Sequence, residues 1–213
     1  MTDPAPLYSA RPAMPFLFVG NDDCLDFLNT LIVDRGQPVD LIQTFDDFLR
    51  WLVEAKMLDM AIATDLAENW RGTTEASATL TELRALRTRL LAMVEGLIAG
   101  VPPSSDAIDA LNAILQRRAG YEQIAPSDSA TGRWAIERRY TYREPRDLLA
   151  PVAHAAAILL VERDPGRIKT CENPACVLHY YDTSKNGSRR WCDTRTCGNR
   201  IRVAHHYQRQ HSH

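Results

Sequence analysis

The sequence predicts an α+β protein: a mostly helical N-terminal domain with a small antiparallel sheet, followed by a compact C-terminal module. Three observations predict it. Apolar residues recur at three- and four-residue steps between about residues 24 and 116. Two stretches, 121–125 and 134–142, read instead as strands. Four of the five cysteines fall between 171 and 197.

Residues 1–15 are rich in proline and alanine and read as an arm. Phe16-Leu-Phe-Val19 fits a short strand. Asp22 or Asp23 caps a helix over Cys24–Thr30, with Leu25 and Leu28 facing in and Asp26, Asn29 and Thr30 close together near its end. Cys24 reads as a packed small apolar residue. Thr44-Phe-Asp-Asp47 has the capping-box pattern and opens a helix that ends near Lys56. A helix over 59–70 follows, and Gly72 ends it. The longest helix runs from Thr74 to Gly100 on a stripe of Leu83, Leu86, Leu90, Val94 and Leu97, with Arg84 and Arg87 off the stripe. Ser104 or Ser105 caps the next, which buries Ile108, Leu111 and Leu115. The strand over 134–142 puts Trp134, Ile136, Arg138 and Tyr140 on one face. A sheet of about three strands, covered by helices on one side, is expected. Glu144-Pro145 opens a last helix with Val152, Ala156, Leu159 and Leu160 on its apolar side. Asp164-Pro-Gly166 ends it, so the domains are expected at 1–164 and 165–213.

The chain of 213 residues suits one large domain, or a medium domain with a small module. Its 45% hydrophobic and 24% charged residues are ordinary for a globular protein. No apolar run is long enough for a membrane span, and the N-terminus shows no export signal, so a cytoplasmic protein without a membrane partner is expected. The glycine-rich phosphate loops, the nucleophile elbow and HExxH are missing, and no nucleophile–base pair is visible. An enzyme is therefore not expected. A pocket holding Asp26, Asn29 and Arg138 is the place a ligand or acid–base chemistry would use.

The cysteines read C-x4-C, fifteen residues, C-x4-C: Cys171, Cys176, Cys192 and Cys197. Two close pairs at this separation suit one tetrahedral zinc ion. Two disulfides would use the same residues, but a reducing compartment disfavours them. Four thiolates leave no open position, so the zinc is structural. Between the pairs, apolar residues flanking Asn186-Gly187 read as a hairpin. Asp193 or Thr194 caps a terminal helix with Cys197 in its first turns. The order is knuckle, hairpin and helix, a treble-clef-like arrangement.

Residues 163–213 hold ten Lys and Arg against four acids, a net charge of +6, and the remainder carries −8. A tetrathiolate zinc leaves the module at about +4. A basic module on an acidic body points to a polyanion. On the terminal helix Arg195, Asn199, Arg202, His206 and Arg209 recur at steps of four and three, a stripe suited to the major groove of duplex DNA. Lys185, Arg189 and Arg190 suit phosphate contacts. Arg200 suits either a nucleic-acid contact or bonds to carbonyls within the knuckle.

Cys197-Gly198-Asn199-Arg200, preceded by Arg189-Arg-Trp-Cys192, closely resembles the CGNR zinc-finger family, and Cys171-Glu-Asn-Pro-Ala-Cys176 is similar to its first knuckle. Cys24-Leu-Asp-Phe-Leu-Asn-Thr30 and Leu149-Ala-Pro-Val-Ala resemble the ABATE domain that usually precedes that finger. The residues after the third cysteine are commonly small or apolar in that family. Here they are Asp193-Thr-Arg-Thr196, which leaves the ligands untouched. The resemblance spans nearly the whole chain. It implies a bacterial, stress-linked transcription regulator with a DNA-binding finger and an N-terminal domain for sensing a small-molecule effector or for dimerisation. A single finger buries little surface, so a homodimer is expected. The alternatives are an RNA- or protein-binding adaptor and, after it, an enzyme in the N-terminal domain.

Overall fold

The computed structural model describes residues 14–117, 119–128 and 132–203. Six α-helices and six strands are named here in chain order. The first helix, α1 (Asp23–Leu28), is capped by Asp22, whose carboxylate accepts from the Cys24 amide at 3.0 Å. Strands β1 (Leu31–Asp34) and β2 (Gln37–Asp40) pair antiparallel around a tight turn. This hairpin is not evident from the sequence pattern. Its turn needs positive φ at two residues, and Arg35 (φ 50°) shares that duty with Gly36 (φ 79°). An arginine in the left-handed region hides the turn from composition.

Helix α2 (Phe45–Glu54) opens with the expected capping box, Thr44 and Asp47 satisfying each other's backbone amides. Next come α3 (Met60–Trp70), α4 (Thr74–Ile98), α5 (Ser105–Gln116) and, after a short 3-10 turn at Pro145, α6 (Leu149–Glu162). Phe27, Phe48, Trp51, Leu83, Leu149 and Leu159 lie at the centre of one continuous apolar core. Trp51 meets Phe27 edge-on at 5.3 Å between ring centroids. Arg87, expected off the buried stripe of α4, is buried. Its guanidinium grips the Asp40 carboxylate with both terminal nitrogens and donates to Thr30 Oγ1 at 2.8 Å. A paired guanidinium is tolerated inside where an isolated one is not, so α4 is fastened to β2 and to the end of α1.

Three expectations need correction. Phe16–Val19 forms no strand. Phe16 is instead buried under Arg50, 4.0 Å from ring centroid to guanidinium, and the carbonyls of Val19 and Gly20 accept from Arg189 and Tyr181. The expected three-stranded sheet is a two-stranded arm, β3 (Ala119–Asp128) with β4 (Arg133–Thr141), and among the described residues no helix covers its apolar face at Trp134 and Ile136. The third concerns the hairpin expected around Asn186-Gly187. The turn is made, but β6 (His179–Tyr181) pairs backward with β5 (Ile168–Thr170) across the first cysteine pair. Residues 189–191 form no strand, because the Arg189 amide is taken by the Asp182 carboxylate and the Arg190 carbonyl by the Glu172 amide.

The C-terminal module is seated on α1. The Tyr181 amide donates to Gly20 O at 2.7 Å, and the Asn29 side chain exchanges two 2.9 Å bonds with the His179 backbone. Asn29 thus mimics a peptide unit and continues the β5–β6 ladder toward the helical body.

Candidate metal centre and adjoining cavity

Each cysteine pair is placed by a local turn. In the first, Asn173 Oδ1 accepts from the Ala175 amide and the Cys176 amide bonds back to Asn173 O at 2.8 Å. In the second, the Asp193 carboxylate accepts from the Arg195 amide at 2.9 Å and opens one π-helical turn, Thr194–Gly198. Residues 199–203 continue it as α-helix, so the fourth cysteine stands at a helix start as expected. Gly198 is small for a reason: a Cβ there would lie 2.9 Å from the Trp191 ring. That ring closes over the turn.

The four sulfurs of Cys171, Cys176, Cys192 and Cys197 lie within 4.8 Å of one another. Cys176–Cys192 is 3.8 Å and Cys192–Cys197 is 3.6 Å. A tetrahedron with zinc–sulfur bonds of about 2.3 Å sets its sulfurs about 3.8 Å apart. The spacing therefore fits one zinc ion and is far too long for a disulfide, and all five cysteines are free thiols. Asn173 Nδ2 points at Cys197 Sγ from 3.2 Å, an outer-shell donor of the kind that steadies a thiolate ligand. The Cys192 thiol beside Cys176 holds the latter down at about 5, whereas that same bond and burial push Cys192 up. Such a cluster favours one thiolate and resists the others until a cation supplies the missing charge. Cys24, fully buried outside the cluster, is pushed up by burial and is the inert packed residue expected.

A charged scaffold supports the centre. Asp182 has no exposed surface. Burial pushes its carboxyl up, but Lys169 at 2.7 Å, Ser184 and the Arg189 amide outweigh that and hold it below the usual carboxylate range. Arg189 lies 4.2 Å over the Tyr180 ring and donates to the carbonyls of Val19, Trp191 and Cys192. Its guanidinium is therefore engaged inside the module. Sequence reasoning missed this because Val19 is brought to it from 170 positions away and the turn at Trp191 and Cys192 folds back onto it.

The other expected nucleic-acid residues sit differently. Lys185, Arg190, Arg195, Asn199, Arg200 and Arg202 are exposed. Arg190 is paired with Glu172 at 2.6 Å and lies over Trp191. Asn199 Nδ2 donates to Arg195 O, and Arg202 donates to Asn199 Oδ1 at 2.8 Å, so these three residues are brought onto one strip. Arg200 makes no hydrogen bond or ion pair among the described residues and does not bind the knuckle carbonyls. His206 and Arg209 lie outside the described residues.

Beside the seam between body and module lies a cavity of about 510 Å³. Asp22, Asp23 and Asp26 form one wall, Lys56 and Met57 another, and His154, Ile158 and Arg163 of the α6 side a third. Burial raises the Asp26 carboxyl to about 7, although its Oδ1 accepts from the Gly20 amide at 2.7 Å. Arg163 donates to Asp22 at 3.1 Å and stands 5.3 Å from the Tyr181 ring centroid. One side chain thus touches both the cavity wall and the module. Of the pocket residues expected from sequence, Asp26 lines this cavity. Asn29 is turned to His179, and the Arg138 side chain lies outside the described part. His154 and Arg163 were missed: a lone histidine among alanines and an arginine at a helix end carry no sequence signal.

A helical α+β body and a treble-clef-like module with four converging thiols define a two-part zinc-finger protein. Comparison with known families agrees. Residues 21–163, well over half the chain, match the ABATE family, described as "Putative stress-induced transcription regulator", and residues 167–210 match the CGNR zinc finger. The chain belongs to the ABATE family and carries a CGNR zinc finger at its C-terminal end. No curated protein matches it.

Proposed function

We propose that the protein is a transcription regulator whose zinc finger binds duplex DNA and whose N-terminal domain senses a small-molecule effector. The observation that carries the first half is the strip Arg195–Asn199–Arg202 with Arg200 beside it. It stands on the helix that starts at the metal centre, in a segment of net charge +6. Arginine and asparagine on an anchored helix are the side chains that read guanine and adenine edges, and Lys185 suits a flanking phosphate. The second half is supported by the cavity at the seam. An effector that displaced Arg163 from Asp22 would alter its contact with Tyr181, and so the seating of the finger.

The test is fluorescence anisotropy of the zinc-loaded chain with duplex DNA over a salt series, with structured RNA as competitor. Affinity should fall steeply with salt. The Arg195→Ala/Arg202→Ala variant should bind at least about tenfold more weakly, since one good base contact is worth roughly 1–3 kcal/mol. Unchanged binding in that variant removes the helix-face assignment. Preference for RNA would move the reading to the adaptor.

A further inference from the structure

The β3–β4 arm carries an apolar face that nothing among the described residues covers. Register places Ile124 opposite Ile136 and Pro126 opposite Trp134. Directly paired residues, and those two apart along a strand, share a face. These four side chains are therefore one patch near the far end of the arm. Ile124 is 73% exposed, Ile136 72% and Trp134 69%. The other face is polar at its middle, where Gln123 donates to Glu137 at 3.2 Å and Arg139 pairs with Glu137 at 2.9 Å. A lone two-stranded ribbon is marginally stable in water, and contiguous exposed apolar surface marks an interaction site.

We infer that this face is where two copies of the chain associate, packing arm against arm about a twofold axis. The four side chains at the far end of the arm carry no charge, and the next pair along the same face, Glu122 opposite Arg138, holds one residue of each sign, so a second copy laid antiparallel on this face meets both apolar and opposite-charge surface. A twofold contact lays the same surface on itself, and the Ile124–Ile136 pair can sit at the axis with Trp134 closing over the partner's arm. The area agrees. Exposed aromatic and branched side chains of this kind bury on the order of 100–200 Å² each, so two copies remove roughly 1,000 Å² from water. That is the low end for a specific contact and suits a weak, reversible dimer. The inference stands apart from DNA binding: a chain that bound no DNA would still dimerise. In a regulator it would bring two weakly binding fingers to one site.

The test is sedimentation velocity of the zinc-loaded full chain at about 1–200 µM, without DNA. The expected result is a monomer–dimer equilibrium in the wild type, weakened at least tenfold in Ile124→Lys/Ile136→Lys. Circular dichroism and zinc content should not change in that variant. Acrylamide quenching of Trp134, isolated by difference from Trp134→Phe, supplies a measurement that needs no charged variant: protection should rise with protein concentration. A wild type that stays monomeric throughout, a dimer indifferent to the double substitution, or a Trp134 shielded equally at all concentrations would each overturn the inference. The last result would mean that the chain covers its own arm.

Discussion

Two buried aspartates, Asp182 in the finger and Asp26 in the body, show how differently the two regions are built. Asp182 is wholly enclosed and fully partnered, by a lysine, a serine and backbone amides, and is held ionised. Asp26 is nearly as enclosed, accepts from the Gly20 amide, has no cation bonded to it among the described residues, and is pushed toward its neutral form. The finger has little apolar interior. Among the described residues, Tyr180 is the one finger side chain in the group of largest fully buried ones, against Trp51, Phe27, Phe48 and several leucines of the body. A module of this size takes its order from a metal and from satisfied charge, whereas the body folds on apolar burial and keeps a carboxyl near its neutral form beside a cavity. That carboxyl lines the cavity where an effector is proposed to bind.

The seam between the regions offers the larger effect. Asn29→Ala strips the His179 amide and carbonyl of their partners in a buried place, which costs about 1–3 kcal/mol. Hydrogen exchange should then show the His179–Tyr181 amides losing protection while α2 and α4 keep theirs. Loosening of the whole chain together would mean that the two regions fold as one unit.

A smaller effect sharpens the contrast between the aspartates. The Asp26 carboxyl is raised in the folded state to about 7, so its contribution favours folding below its ordinary range and is lost as pH rises through about 7. Asp182 is lowered, so its contribution is present above the ordinary carboxylate range and is lost on acidification. Asp26→Asn keeps an acceptor for Gly20 and removes the ionisation. Denaturation midpoints of the variant should fall less than those of the wild type between pH 5 and 8. Parallel pH profiles for the two proteins would show that Asp26 ionises without cost.

What the sequence revealed was local. Caps and stripes of the helices depend on residues three or four apart, and Thr44 with Asp47 or Asp22 with Cys24 could be read directly. The cysteine spacing was legible for the same reason, since each knuckle turns within six residues. What stayed hidden was contact across long separations or unusual backbone. Asn29 meets His179 from 150 positions away. Arg189 resembles its exposed neighbour Arg190 until the carbonyl of Val19, 170 positions away, is brought to it. The β1–β2 turn rests on an arginine where glycine or asparagine would have announced it. The cavity assembles α1, the α2–α3 turn, β4 and α6, and no stretch of sequence spells that combination.

The central claim is that one zinc ion, held by four thiolates, organises the finger and aims its helix. X-ray absorption at the zinc edge of the purified full chain tests it most directly. The account predicts one zinc per chain with four sulfur neighbours at about 2.3 Å and no nitrogen or oxygen ligand. A chain that copurifies without zinc under reducing conditions, or a shell in which a histidine or water replaces one of the four sulfurs, would contradict it.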